Sequence, residues 1–119
     1  MFVKNLSNCP KFTANDGCKI QEWLHPKNDP VDVPYSVAVA TVAIGQSTHQ
    51  HKLNQTEVYL ILNGEGLLHV ADQIQHLKKN DAVLIPGNQV QWVENIGDIE
   101  LTFMAIVSPP WTEENDELV

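Results

Sequence analysis

The chain has 119 residues, of which 43% are hydrophobic and 18% charged, and its formal net charge at pH 7 is −8. This length is typical of one domain, and the composition is that of an ordinary globular protein. The acidic balance argues against nucleic-acid and membrane partners, because both are bound through clustered Lys and Arg, and only seven basic residues are spread along the chain.

Residues 1–34 are predicted to form an N-terminal arm and a proline-rich loop. The run CKIQEWLHP alternates Ile20, Glu22 and Leu24 with Gln21 and Trp23, which favours a first strand. The next run, HPKNDPVDVP, contains three prolines, which exclude a helix and indicate an ordered loop.

The N-terminal region carries no recognisable targeting or redox motif. Cys9 and Cys18 match neither a zinc-finger spacing nor a CxxC motif. The sequence leaves open whether they form a disulfide. No apolar run resembles a signal peptide or approaches the roughly 18 residues of a membrane span, so we predict a cytoplasmic location.

Residues 35–107 have the texture of an all-β sandwich or barrel. Short apolar runs follow one another, separated mostly by Asn, Asp, Gly or Pro. Asn63-Gly64 is the favoured dipeptide of a tight hairpin, and it predicts that strand 56–62 folds back directly on strand 67–71. The runs are YSVAVATVAI, EVYLILN, GLLHVAD, AVLIP, QVQWVEN and IELTFMAIV.

Residues 108–119 are predicted to form an acidic tail that is solvated or partly disordered. Four acidic residues crowd into its last seven positions, and such runs are usually solvated. Together with the preceding regions, this tail completes one predicted domain over residues 1–119.

His49 and His51 lie one residue apart, just before the most strand-like run. Two solvated imidazoles in a polar loop would be the simplest interpretation. If the backbone is extended, however, both rings point to the same side, as do Glu57 and Tyr59 on the next strand. Two imidazoles and a carboxylate that converge from one side are typical of metal sites with open coordination positions.

These residues resemble the first cupin motif, which is usually a glycine, five residues, His-x-His, three or four residues, Glu, six residues and Gly. Here Gly45, His49, His51, Glu57 and Gly64 take those positions. The spacing between Gly45 and His49 is two residues shorter than the motif's, and that between His51 and Glu57 is at least one residue longer.

The run NDAVLIPGNQVQWVENIG resembles the second cupin motif. Gln91 stands where the family has its third histidine, and Asn95 follows four residues later. Asn88 stands at a glycine position of the family, where its tolerance of the left-handed region lets the turn survive. An uncharged amide oxygen at Gln91 would bind a metal more weakly than an imidazole.

The resemblance spans residues 35–107 and implies a double-stranded β-helix, or jelly-roll barrel, and commonly a homodimer. It implies a divalent transition metal (Fe, Mn, Co, Ni, Cu or Zn) at His49 and His51, with Gln91 and Glu57 completing or supporting the set. Two alternatives stay open. In one, Glu57 hydrogen-bonds a ring nitrogen of a metal-binding histidine instead of binding the metal. In the other, Gln91 contacts substrate or lines the pocket wall. Tyr59 is expected on the pocket wall.

The implied function is a small metal-dependent enzyme that acts on a small organic molecule, as an oxygenase, isomerase or cyclase. The alternative is a non-catalytic cupin that sequesters or senses a metal or metabolite, and a weaker one is a metal-free assembly barrel. No motif supports a role for the other three histidines, His25, His69 and His76, and His25 is expected at the surface. Trp92 should point outward if Gln91 points inward.

Overall fold

About half of this chain is β-strand. The computed structural model describes all 119 residues, and its only helical segments are two three-residue 3-10 turns, Leu6–Asn8 and Glu113–Asn115. The strands are β1 (Phe12–Thr13), β2 (Lys19–Leu24), β3 (Ser36–Val42), β4 (His51–Leu53), β5 (Thr56–Asn63), β6 (Glu65–Val70), β7 (Gln73–Lys78), β8 (Ala82–Ile85), β9 (Val90–Asn95), β10 (Leu101–Ser108) and β11 (Asp116–Leu118).

The strands form two antiparallel sheets whose inner faces enclose the core. The six-stranded sheet has the order β1-β2-β3-β10-β5-β8, and the five-stranded sheet has the order β11-β4-β9-β6-β7. Burial alternates along the strands, as in β10, because successive side chains point to opposite faces. The core includes Val42, Ile61, Leu68, Ile85, Val93, Leu101 and Phe103.

The predicted hairpin at Asn63-Gly64 is wrong. Strand β5 pairs with β10 and β8, whereas β6 pairs with β7 and β9, so the turn carries the chain from one sheet to the other. Gly64 has φ +85°, and a Cβ there would lie 2.7 Å from the carbonyl oxygen of Glu100. The glycine is therefore needed where the chain passes from one sheet to the other. The hairpin in this region is instead β6–β7, whose turn at Ala71 (φ 54°) contains no glycine.

The C-terminal segment is not the solvated tail that its composition predicts. Strand β11 pairs with β4, and Leu118 lies opposite His51 in that register. The side chain of Asp116 is only 7% exposed. Backbone pairing to the edge of the five-stranded sheet orders this segment, even though its other acidic side chains face solvent.

The N-terminal arm likewise becomes part of a sheet, because β2 pairs with both β1 and β3. Cys9 and Cys18 are both buried and free. No helix has the length and apolar character that crossing a membrane requires. The cytoplasmic location stays a prediction.

Candidate functional site

A cavity of about 60 Å³ lies at the inner face of the six-stranded sheet and reaches across to β4 and β11. One end is polar, because β4, β5, β11 and the N-terminal arm each contribute a titratable side chain. Apolar side chains from β2, β3 and β10 form most of the remaining walls, which also include the polar side chains of Glu22, His25 and Ser36. The polar end consists of Asp16, Cys18, His51, Glu57, Tyr59 and Asp116, and the walls include Ile20, Ala38, Ala40, Phe103 and Ala105.

His51 is held by a carboxylate from the C-terminal strand. Its Nδ1 lies 2.9 Å from Oδ1 of Asp116, and because a carboxylate only accepts, Nδ1 carries the proton and donates it. The lone pair of Nε2 therefore faces the cavity, 3.5 Å from Oδ2 of Asp16. Burial by itself would lower the pKa of His51, but the bond to Asp116 and the charges of Asp16, Asp116 and Glu57 raise it above 6.5.

Glu57, Gln91 and Tyr59 form a buried hydrogen-bonded chain. The Tyr59 hydroxyl donates to Oε1 of Gln91 at 3.2 Å, and Nε2 of Gln91 donates to Oε1 of Glu57 at 3.1 Å. Burial raises the pKa of Glu57 to about 7, against the lowering effects of His51 and Gln91. Burial and the nearby carboxylates also raise the pKa of Tyr59. Gln91 does not line the cavity itself but lies behind the two residues that it bonds.

Asp16 enters the site from the N-terminal arm. Its Oδ1 accepts hydrogen bonds from the backbone N–H of Cys18 at 3.1 Å and from the Cys18 thiol at 3.0 Å. Burial and the charge of Asp16 raise the pKa of Cys18 well above its ordinary value, so the thiol stays protonated. Asp16, Cys18 and Asp116 are the site residues that sequence reasoning missed, because the segments that carry them were predicted as arm and tail.

His49 is exposed and lies outside the cavity, so the prediction that both histidines point to one side is wrong. Residues 48–50 lie outside any named strand, and Thr48 turns inward to accept a hydrogen bond from the Val93 backbone. The His49 ring packs over Gly17, where an added Cβ would lie 3.1 Å from Nε2. No three His, Cys, Asp or Glu side chains are grouped so as to hold a metal ion as they stand.

The remaining histidines divide between the core and the outer surface. His25 is 4% exposed and bonds the carbonyl of Trp111, which corrects its predicted surface position. Gln91 is buried and Trp92 points outward, as predicted, and Trp92 stacks on His69 with ring centroids 4.2 Å apart. His76 bonds Glu65 on the same outer face. The predicted homodimer stays a prediction.

A family model for the cupin domain matches residues 38–107. An uncharacterised protein of Methanocaldococcus jannaschii is 35% identical over 109 residues, which cover 91% of this chain and 86% of that protein. A Thermotoga maritima protein described as a predicted oxalate decarboxylase superposes with a TM-score of 0.78 at 22% identity, over 91% of this chain and 99% of that one.

Oxalate decarboxylase from Bacillus subtilis superposes with a TM-score of 0.82 at 21% identity, over 96% of this chain and 30% of that one. At these identities the structural matches establish the fold alone. They confirm the predicted jelly-roll barrel, and the activity has to be argued from the site.

Proposed function

The chain belongs to the cupin family, and from this membership and the pocket we propose that it binds a divalent transition metal and acts on a small organic molecule. The observation that carries the proposal is the orientation of His51. Asp116 bonds its Nδ1, which leaves Nε2 3.5 Å from Oδ2 of Asp16, in the pocket that Glu57 also lines. A histidine whose second nitrogen bonds a carboxylate is a recurrent arrangement at metal centres.

The donor chemistry of the site fits such a metal. One imidazole and two carboxylates make a mixed nitrogen and oxygen set, which suits Fe, Mn, Co, Ni, Cu and Zn. Two donors bound to one ion at about 2.1 Å in a tetrahedral arrangement lie about 3.4 Å apart. Nε2 of His51 and Oδ2 of Asp16 are 3.5 Å apart. We therefore assign His51, Asp16 and Glu57 as the residues that would hold the ion.

Of the predicted ligands, Gln91 takes a supporting role in this proposal and His49 takes none. Gln91 uses its amide to bond Tyr59 on one side and Glu57 on the other, which orients the Glu57 carboxylate. His49 lies on the surface against Gly17. In this arrangement Gln91 does not line the cavity, so it matches neither open alternative, a substrate contact or a wall residue.

The bound metal would supply Lewis-acid chemistry or activation of dioxygen. The protein's own contribution is a set of buried acidic ligands and an apolar lining. In the metal-free pocket burial raises the pKa of Glu57 to about 7, and a bound cation would instead hold this carboxylate ionised as a ligand. Ala40, Phe103 and Ala105 form part of the apolar lining and limit the entry of water. The reaction class stays open among oxygenase, isomerase and cyclase.

One observation favours the second candidate, a non-catalytic module that binds a metabolite or senses a metal. The polar side chains of the pocket are bonded to one another, and no three of the acidic, histidine or cysteine side chains form a ready set. Metal loading would require these side chains to move closer together.

Elemental analysis of tag-free protein tests the proposal. We expect near-stoichiometric metal in the wild type and in His49→Ala, and loss of metal in His51→Ala. His49→Ala is a matched control, since it removes an imidazole two residues away that lies outside the pocket. Absence of metal from the wild type, even after reconstitution, would overturn the metal-dependent function in favour of the metal-free module. Loss of metal from His49→Ala would overturn the assignment of ligands.

A further inference from the structure

We propose that the pocket takes a small primary amine, bound as its ammonium ion, and excludes carboxylates. The inference goes beyond the proposed function and concerns the same pocket without its metal, because the ammonium would use the oxygens of Asp16 and Glu57 that a metal would otherwise take. Its basis is the charge of the lining, the free acceptor atoms at the polar end and the size of the cavity.

The lining is strongly acidic and contains no lysine or arginine. Four carboxylates face the cavity, and the chain has no arginine at all, since its seven basic residues are all lysines. A divalent ion would offset only half of that formal charge. The four are Asp16, Glu22, Glu57 and Asp116.

An anionic ligand therefore meets at most one cation in this pocket, a protonated His51, against four carboxylates. Proteins bind carboxylates through arginine, lysine or backbone N–H groups, and arginine does so in a bidentate fashion. His25 is engaged by the Trp111 carbonyl and the Lys27 backbone N–H, whereas His51 bonds Asp116 through Nδ1 and its Nε2 lies 3.5 Å from Oδ2 of Asp16. Burying another carboxylate beside Glu57 would place like charges together with only that one imidazole to compensate them.

An ammonium group, in contrast, meets acceptors that have room for it. Glu57 is 7% exposed, and its Oε1 accepts from Gln91 while its Oε2 accepts no hydrogen bond. Asp16 uses Oδ1 for Cys18, and its Oδ2 accepts no hydrogen bond from the protein other than what a protonated His51 could supply. A primary ammonium has three donors, which are enough for both oxygens.

The size and the apolar walls limit the rest of the ligand. The cavity of about 60 Å³ is well below the roughly 150 Å³ that accommodates benzene. The apolar part of the lining includes Ala38, Ala40, Phe103 and Ala105. A short alkyl chain packs against such a wall, whereas a second charged group would lose its hydration without a partner.

Isothermal titration of chelator-treated protein at about pH 8, where carboxylates are ionised and a primary amine is protonated, tests the inference with chloride salts and three probes of matched size. The probes are ethylammonium, the neutral isostere ethanol, and acetate, with oxalate as a dianion. We expect ethylammonium to bind at least about tenfold more tightly than ethanol, which is about 1.4 kcal/mol, and the two anions not to bind. Tighter binding of acetate or oxalate, or no binding of any probe, would overturn the inference.

The variant Glu57→Gln keeps the shape of the side chain and removes its charge, so ethylammonium affinity should fall about tenfold or more. Glu65→Gln is the control, since Glu65 lies on the outer face against His76. A thermal unfolding curve checks that both variants fold. Unchanged affinity in folded Glu57→Gln would contradict the inference.

Titrating the protein before and after chelation separates the two proposals. Amine binding to protein that takes up no metal, even on reconstitution, would support this inference while the metal-dependent function fails. Metal binding together with a preference for anions would leave the metal-dependent function standing and overturn this inference alone.

Discussion

Nδ1 of His51 donates a hydrogen bond to Asp116 at 2.9 Å, although 65 positions separate the two residues in the chain. The second oxygen of Asp116 accepts from the indole N–H of Trp111 at 3.1 Å. One carboxylate from the last strand thus fixes both the tautomer of the pocket histidine and the position of a wall residue. The C-terminal segment is consequently a structural part of the site.

Asp116→Ala should destabilise the protein by about 1–3 kcal/mol, because it leaves the buried N–H groups of His51 and Trp111 without acceptors. The pKa of His51 should fall, since the bond to Asp116 helps to raise it. Urea unfolding and an NMR titration of the imidazole measure the two effects.

Glu117→Ala is the control for that variant. Glu117 lies on the same strand and is exposed, so its loss should change stability by no more than about 0.5 kcal/mol. Equal effects of the two variants would show that the Asp116 contacts contribute nothing specific.

The stability of chelator-treated protein should fall as the pH rises from about 4.5 through about 7. Glu57 has an ordinary pKa of 4.5 and a folded pKa of about 7, so the folded state binds its proton more tightly than the unfolded state. By linkage, this contribution is present at low pH and is lost as the pH rises. The contribution of His51 has the same sign, being present below 6.5 and lost as the pH rises through its raised folded pKa.

Glu57→Gln should flatten this decline, by at most about 3 kcal/mol across the range. Urea unfolding of the wild type and the variant at several pH values measures the difference. Parallel pH profiles would show that Glu57 titrates alike in the folded and unfolded states, against this prediction.

Gly64→Ala should cost more stability than Gly45→Ala, although both glycines have positive φ values of +85° and +74°. Left-handed backbone costs an alanine about 1–2 kcal/mol at either position. At Gly64 the new Cβ also meets the Glu100 carbonyl oxygen at 2.7 Å, whereas at Gly45 it meets nothing within 4 Å. Overpacking of that kind adds about 1–3 kcal/mol. Thermal and urea unfolding compare the two, and equal losses would contradict the close approach.

The thiol of Cys18 should react slowly with a thiol reagent in the folded protein, because it is buried and its raised pKa keeps it protonated. The variant Cys9→Ala leaves Cys18 as the single thiol, so that the rate belongs to one group. The rate should rise to that of a free cysteine when the protein is unfolded in urea. A fast reaction of the folded variant would show that the pocket opens readily.

Much of the fold follows from local patterns in the sequence. The β-branched runs predict β2, β3, β5, β6, β8, β9 and β10, because alternating side chains on a pleated strand bury one face. The polar run of β7 and the short strands β1, β4 and β11 escape prediction. Their pairing depends on neighbours that only the assembled sheets provide. The turn at Gly64 could not be predicted for the same reason, since one turn sequence can join two paired strands of a sheet or carry the chain between two sheets.

By itself, the sequence determined the family, the barrel and three of the inward-facing polar residues, His51, Glu57 and Gln91. Each of these lies on a regular strand, where the period of two decides the side that a residue faces. Only the tertiary structure decided that His49 faces out, because the backbone before β4 is irregular. It alone brought Asp16 and Asp116 to His51, because contacts between the two ends of a chain leave no local pattern to read.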